Sequence, residues 1–251
     1  MSEARGASIA VQAPPVAGAR KVAMVLAIVG GITMLLFHWM VFFWVPTEST
    51  MGIIQRIFYV HVPAAWAGEM AFGIAAFCSG VYLWLGDERL DVAAEAAAEG
   101  GMAFFTAAII AGPLWAKVAW GTYWTWEPRL TFSLLLWMIF LGYFLVRASI
   151  VNVERARRMA AVVAIVGAID IPLIHVSVNW LRSLHPEPVV LRQDGPQLDG
   201  QMLTTLMVGL LAFTVVFFSL FAVRYGVGLL ERFPSSTKGE PAGSDPALEG
   251  S

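Results

Sequence analysis

The sequence MLTTLMVGLLAFTVVFFSLFAV, residues 202–223, contains no Asp, Glu, Lys or Arg. An α-helix needs about 20 apolar residues to cross the hydrocarbon core of a bilayer, and this stretch is long enough. Five other apolar segments of comparable length precede it. The six predicted spans are residues 22–45, 62–85, 100–119, 130–147, 159–179 and 202–223. The sequence therefore predicts an all-α integral membrane protein with six transmembrane helices and short outer loops.

The composition agrees with this fold. Of the 251 residues, 58% are hydrophobic and 14% are charged, whereas soluble domains have roughly 45–50% and about 25%. The net charge of −2 gives no overall field that would attract nucleic acid. The single cysteine, Cys78, excludes an internal disulfide and a Cys-rich metal site. We expect a membrane domain at 22–225 between disordered cytoplasmic tails at 1–21 and 226–251.

The distribution of basic residues predicts the orientation. Eleven of the sixteen Lys and Arg residues fall on the side of the termini, and five fall on the opposite side. The five are Arg56, Lys117, Arg129, Arg182 and Arg192. Cytoplasmic loops carry the excess of Lys and Arg, so both termini are predicted in the cytoplasm. The connectors near 46–61, 120–129 and 180–201 are then predicted to face outward.

Tryptophan is concentrated on the predicted outer side. Nine of the ten Trp residues lie there and only Trp84 lies at an inner helix end, whereas an ordinary aromatic belt occupies both interfaces. The densest segment holds four Trp and one Tyr within residues 115–126: Trp115, Trp120, Tyr123, Trp124 and Trp126. Such rings can stack on a planar aromatic ligand. The alternative is an interfacial plug that packs the helix ends.

Two histidines also lie on the predicted outer side. His61 begins the second span, and His185 lies in the third outer connector. Two neutral imidazoles on opposite sides of a haem could supply its axial ligands. The alternative is that each histidine makes only ordinary interfacial hydrogen bonds.

Four polar residues lie inside predicted spans: His38, Glu69, Asp170 and His175. Polar groups in lipid are costly and are usually paired across helices or functional. We interpret all four as structural. Asp170 lies near Pro172, which would break the fifth helix and leave backbone groups to satisfy. The alternatives are haem ligation by the histidines and a proton relay through the carboxylates.

The first outer connector has a helical pattern. Apolar residues recur through Thr47–Val60 among polar ones, which predicts a short amphipathic helix lying in the interface and fixing the position of His61. Arg56, Arg129 and Arg182 are candidate partners for ligand carboxylates. The alternative for these arginines is that they snorkel to the interface.

The run Trp120-Gly-Thr-Tyr-Trp-Thr-Trp-Glu-Pro-Arg-Leu-Thr131 closely resembles the signature WGxxWxWDxRLT of the tryptophan-rich, haem-handling membrane proteins of cytochrome c maturation. HVPAAW at 61–66 and VSVNWLRSLH at 176–185 resemble two further blocks found in the haem exporter members of that family. The three motifs occur in order, and six spans fit the same members.

The resemblance implies roles for individual residues. His61 and His185 correspond to two outer histidines that ligate the iron of haem b. Trp120, Gly121, Trp124, Trp126 and Arg129 correspond to a platform for the haem edge, and Trp115, Tyr123 and Glu127 complete the predicted cofactor-binding set. Glu127 stands where the family more often has Asp, Tyr123 where many members have Trp, and Pro186 follows His185. These departures change the haem periphery and remove no ligand.

The resemblance also implies a function and partners. The protein would hold haem at the periplasmic face of the bacterial inner membrane and deliver it to the periplasmic haem chaperone CcmE. It would work with the ATP-binding-cassette pair CcmA and CcmB and with the small membrane protein CcmD. No segment resembles a nucleotide-binding loop, so we expect no ATP hydrolysis and no enzymatic activity from this chain.

Two other classes remain open from the sequence. A membrane b-type electron-transfer cytochrome would use histidines within the helices, and His38 and His175 could supply such a pair. A secondary transporter would rely on Asp170, Glu69 and a broken fifth helix, but it would typically show repeated halves, which are not evident in the sequence.

Overall fold

The computed structural model describes residues 16–180, 185, 190 and 195–234. Six helices make up this part of the chain: α1 Val16–Trp39, α2 Ile57–Leu85, α3 Glu88–Trp120, α4 Pro128–Ser149, α5 Val153–Trp180 and α6 Gly200–Arg232. A π-helical turn, Met40–Trp44, extends α1, and a 3-10 turn, Ile53–Arg56, precedes α2. The described residues contain no strand.

All six helices are long and apolar enough to cross a membrane. The prediction of an all-α protein with six transmembrane helices is therefore confirmed. The helices α2 to α6 extend beyond their predicted spans, and α3 begins at Glu88 rather than near residue 100. Its N-cap is Asp87, whose side chain accepts a hydrogen bond from the backbone N–H of Arg89. The helices α1 and α6 likewise run beyond the predicted domain limits, to Val16 and Arg232; most of both predicted tails lies outside the described residues.

The first connector differs from the predicted amphipathic helix. Residues 45–52 are not helical, and the helix that starts at Ile53 is continuous with α2. The carboxylate of Glu48 instead accepts hydrogen bonds from the backbone N–H groups of Met51 and Thr50. These bonds lower the pKa of Glu48 and stabilise a turn that ends at Gly52, where φ is +62°. The turn competes successfully with helix because a side-chain carboxylate can satisfy the local backbone donors.

The helix α2 lies at the centre of the bundle. It packs against α3, α5 and α6, while α1 packs mainly against α6 and α4 mainly against α5. The closest approach of α2 and α3 depends on glycines: a Cβ at Gly101 would lie 2.6 Å from the ring of Phe72. Phe72 in turn stacks on Phe140 of α4 with ring centroids 3.8 Å apart. Small residues facing large rings therefore set the spacing of the bundle.

The two ends of the bundle differ in character. The proximal end holds the start of α1 and the end of α6, and it is closed by an ion-pair network. Asp91 of α3 is 2% exposed and contacts Arg147 of α4 at 2.6 Å, Arg232 of α6 at 2.7 Å and Arg157 of α5 at 3.5 Å. Glu95 lies 2.7 Å from the same Arg147. One buried carboxylate thus connects three helices to α3, a feature the sequence did not predict.

Candidate functional site

A cavity opens at the distal end of the bundle, which is the end opposite both termini. It lies among α2, α3, α4 and α5 and encloses about 310 Å³, at the lower end of the roughly 300–1,000 Å³ of ligand pockets. Its aromatic lining is formed by Trp115, Trp120 and Trp124, and its polar lining includes His61, Glu69, Arg129, Ser133 and His185. The cavity therefore brings together residues from all three sequence motifs.

His61 lies in the second turn of α2 and is held by α3. Its Nδ1–H donates a hydrogen bond to the carbonyl oxygen of Ala108 at 3.1 Å. Its ring is also 6.1 Å from the indole of Trp115, measured between centroids. A carbonyl oxygen can only accept, so this bond requires the proton on Nδ1 and leaves Nε2 with a free lone pair when the ring is neutral. A hydrogen bond of this kind orients a histidine for metal ligation.

His185 lies in the segment between α5 and α6 and is tied to the start of α4. Its backbone N–H donates to Glu127 Oε2 at 3.2 Å. Its ring lies edge-on to Trp120, with centroids 6.4 Å apart. Glu127 is the N-cap residue of α4 and is only 8% exposed. The carboxylate therefore links the segment that carries His185 to the Trp-rich connector.

The Trp-rich connector is shaped by its two ends. Gly121 ends α3 with φ of +77°, a conformation that favours glycine, and its N–H donates to the carbonyl of Lys117. Pro128 occupies the first turn of α4, where its missing N–H leaves no helical bond unmade. Between these two points the chain reverses, so that Trp120 and Trp124 line the same cavity.

The predicted platform is divided by the structure. Trp126 contacts the edge of Trp124 at 5.8 Å between centroids, but it is 77% exposed and does not line the cavity. Tyr123 is also exposed and lies under the ammonium of Lys117. The cavity wall thus uses Trp120 and Trp124, while Trp126 and Tyr123 form an adjacent aromatic surface.

The side chain of Arg129 lines the cavity. It lies in the first turn of α4, within electrostatic range of Glu69 and Glu127. Among the residues that the structure describes, it makes neither a hydrogen bond nor an ion pair. A guanidinium in this state can bind an incoming carboxylate. Of the other candidate arginines, Arg56 lies outside the cavity lining, and Arg182 lies outside the described residues.

Three of the four polar residues predicted within the helices, His38, Glu69 and His175, have hydrogen-bond partners. His38 donates to the carbonyl oxygen of Met34 on its own helix at 2.7 Å. His175 Nε2 lies 2.7 Å from Glu69 Oε2 and links α5 to α2. Asp170 is buried, and α5 continues through Pro172 without the predicted break.

Two further tryptophans, Trp66 and Trp137, form hydrogen bonds between helices and do not line the cavity. Trp66 donates to the hydroxyl of Thr214 on α6 at 3.1 Å. Trp137 donates to the hydroxyl of Thr106 on α3 at 2.9 Å. Both bonds join neighbouring helices, so the abundance of tryptophan has more than one cause. The side chain of Trp180 lies outside the described part of the chain.

The sequence motifs did not predict all of the cavity. Glu69 lines it two turns below His61, and the spacing 61, 65, 69 could have placed both on one face of α2. Thr50 and Met51 of the first connector also reach the cavity. Gly112 of α3 lies against the ring of His61 and carried no motif signal.

Comparison with known proteins gives a consistent result. A family model described as CcmC, Heme exporter protein C, matches residues 9–238. The chain is 39% identical to the Heme exporter protein C of Bradyrhizobium diazoefficiens over 176 residues, which are 70% of this chain and 66% of that protein. It is 30% identical to the Heme exporter protein C of Escherichia coli K12 over 182 residues, 71% of this chain and 72% of the relative. The protein of that name from Haemophilus influenzae is 29% identical over 186 residues, 74% and 76% of the two chains.

Proposed function

Because the chain belongs to the Heme exporter protein C family, we propose that this multi-pass membrane protein binds haem in the distal cavity and delivers it to a periplasmic haem chaperone of the CcmE type. One observation carries the proposal. His61 and His185 are far apart in the sequence, yet both line one cavity together with Trp120 and Trp124.

The residues present suit a haem better than a bare metal ion. In the described part of the chain, no group of three or more His, Cys, Asp or Glu residues could hold a metal ion. A structural or catalytic metal site in a protein usually has three or four protein ligands. Haem b supplies four equatorial nitrogens of its own, so the protein needs to provide only axial ligands. Two histidines are sufficient for that role.

The rest of the cavity supports the same ligand. Indole rings offer flat apolar area for a porphyrin face or edge. Arg129 offers a guanidinium for a propionate carboxylate. Glu69 and Glu127 lie close enough to act on that guanidinium electrostatically without forming an ion pair with it.

The two proposed ligands are held differently, which suits a handover. His61 belongs to a continuous helix and is fixed by a backbone carbonyl of the neighbouring helix. His185 lies outside the helices and is attached through the Glu127 carboxylate. We propose that the His185 side opens first during delivery, because a residue outside the helices moves more easily than one fixed by the packing of two helices. The exposed surface of Trp126 and Tyr123 would then meet the chaperone.

The proposed cellular setting follows from the charge distribution and the family. The distal end would face the periplasm of the inner membrane, since the excess of Lys and Arg lies at the proximal end. The family name Heme exporter protein C belongs to a system of four Ccm components, so CcmA, CcmB and CcmD are the proposed membrane partners.

The electron-transfer alternative gains no support from the geometry. His38 lies on α1, which packs mainly on α6, whereas His175 lies on α5 and pairs with Glu69. The two histidines could not ligate one haem together without a rearrangement of α1 and α5.

Transfer to the chaperone tests the proposed function. The purified protein is loaded with haem in detergent and mixed with the soluble domain of a CcmE-type chaperone that carries an affinity tag. After separation, haem is quantified on the chaperone from its Soret absorbance. We expect haem to move to the chaperone from the wild type, and to move more slowly when Trp124 and Trp126 are both replaced by Ala. Spontaneous haem uptake at the same rate without the membrane protein would contradict the proposal.

A further inference from the structure

Resting on the proposed haem site, we infer that Gly112 of α3 is a positioning residue for His61. Its missing side chain leaves the space in which the imidazole ring lies. The ring can then reach the Ala108 carbonyl, which fixes its tautomer and presents Nε2 to the iron. No motif in the sequence draws attention to this glycine.

The space beside Gly112 is filled by one side chain. A Cβ built on Gly112 would have three nearest heavy-atom neighbours, and all three belong to the His61 ring: Cε1 at 3.0 Å, Nδ1 at 3.4 Å and Nε2 at 4.0 Å. The contact to Cε1 is tighter than ordinary van der Waals contact, so the ring would have to shift by a few tenths of an ångström. Gly112 is therefore matched to the imidazole rather than to the approach of another backbone.

That shift would disturb the contacts that hold the His61 ring in place. Its Nδ1–H is bonded to Ala108, which lies one turn before Gly112 on the same face of α3. The indole of Trp115 lies beside the ring as well. Movement away from a new Cβ would lengthen the bond to Ala108 and turn Nε2 away from its present direction. The Ala108 carbonyl would then no longer hold the proton of His61 on Nδ1.

Local helix stability does not explain the choice of glycine. Glycine is unfavourable inside a helix, and here it is followed by Pro113, which also disfavours helix. Other helical glycines, such as Gly73, have no neighbour within 4 Å of the added Cβ. Gly209 has a neighbour, but it is the Phe37 ring at 2.6 Å, and neither Gly209 nor Phe37 lines the cavity. These two glycines provide matched controls for the same substitution.

The test compares Gly112→Ala with Gly73→Ala and Gly209→Ala. Each purified protein is titrated with haemin and its absorption spectrum recorded. Loss of an orienting contact to a metal-binding histidine typically costs about 10- to 100-fold in affinity, and we expect a loss of that size for Gly112→Ala. Its spectrum should also shift from low-spin, six-coordinate haem towards a high-spin form. Added imidazole should restore the low-spin form by replacing the displaced ring.

The controls separate positioning from general packing. Gly73→Ala should match the wild type, and Gly209→Ala should lower thermal stability without changing the spectrum. If Gly112→Ala fails to fold, the double variant His61→Ala, Gly112→Ala should fold as well as His61→Ala alone, since the ring that meets the Cβ is gone. A double variant that also fails would overturn the inference.

Two outcomes distinguish this inference from the proposed function. If the wild type shows no histidine-ligated haem, the proposed function fails and the inference fails with it. If the wild type shows that spectrum and Gly112→Ala has the same spectrum and affinity, only the positioning role is overturned.

Discussion

Replacing Arg129 by Gln should weaken haem binding through the haem carboxylates. Arg129 lines the cavity and, among the described residues, has no hydrogen-bonded or ion-paired partner to release before it binds a ligand. A hydrogen bond to a charged group contributes about 1.5–3 kcal/mol, which corresponds to about 10- to 150-fold in Kd.

The assay is a pair of titrations, one with haemin and one with haemin dimethyl ester, whose carboxylates are blocked. The wild type should prefer haemin, and Arg129→Gln should lose that preference while it retains most of its affinity for the ester. Arg129→Lys keeps the charge without the planar fork and should lie between the two. Lys117→Gln is the matched control, since this cation is at the same end but outside the cavity lining. An equal loss of affinity for both ligands in Arg129→Gln would refute the reasoning.

Three other predictions follow from the contacts of single residues. Asp91→Asn should lower the free energy of unfolding by about 3 kcal/mol, because it leaves three arginines, whose side chains are at most 15% exposed, without their shared partner. Glu154→Gln, at an exposed pair, should change it by less than about 0.5 kcal/mol. Denaturant titration in detergent measures both, and equal effects would contradict the role of the network. Trp124→Ala should weaken haem binding about 2- to 10-fold. Trp126→Ala should leave the Kd for haem unchanged and slow delivery to the chaperone. A larger loss of haem affinity in Trp126→Ala than in Trp124→Ala would place the haem on the exposed surface. His38→Ala should leave the haem spectrum unchanged, and a lost ligand signal there would favour an intramembrane site.

The apolar pattern was sufficient to predict the six spans, because a bilayer requires a fixed length of uncharged helix. It could not predict where α3 begins. The first turns of α3 carry Glu88, Asp91 and Glu95, which look too polar for a span until their partners are known. Those partners, such as Arg147, come from helices far along the chain, and their approach depends on tertiary packing.

The candidate site was predictable to the extent that motifs mark it. The resemblance identified His61 and His185, and both line the cavity. The sequence could not divide the Trp-rich connector into cavity wall and exposed surface. That division depends on the direction of each side chain in a short non-helical segment, which the positive φ of Gly121 sets. The role of Gly112 could not be predicted, because it depends on the position of the His61 ring beside it, which only the structure gives.

The most direct test of the central claim is the axial ligation of bound haem. Absorption and electron paramagnetic resonance spectra of the purified wild type should show low-spin haem with two histidine ligands. His61→Ala and His185→Ala should each lose that signature, because each removes one of the two imidazoles at the cavity. Unchanged spectra in both variants would contradict the account.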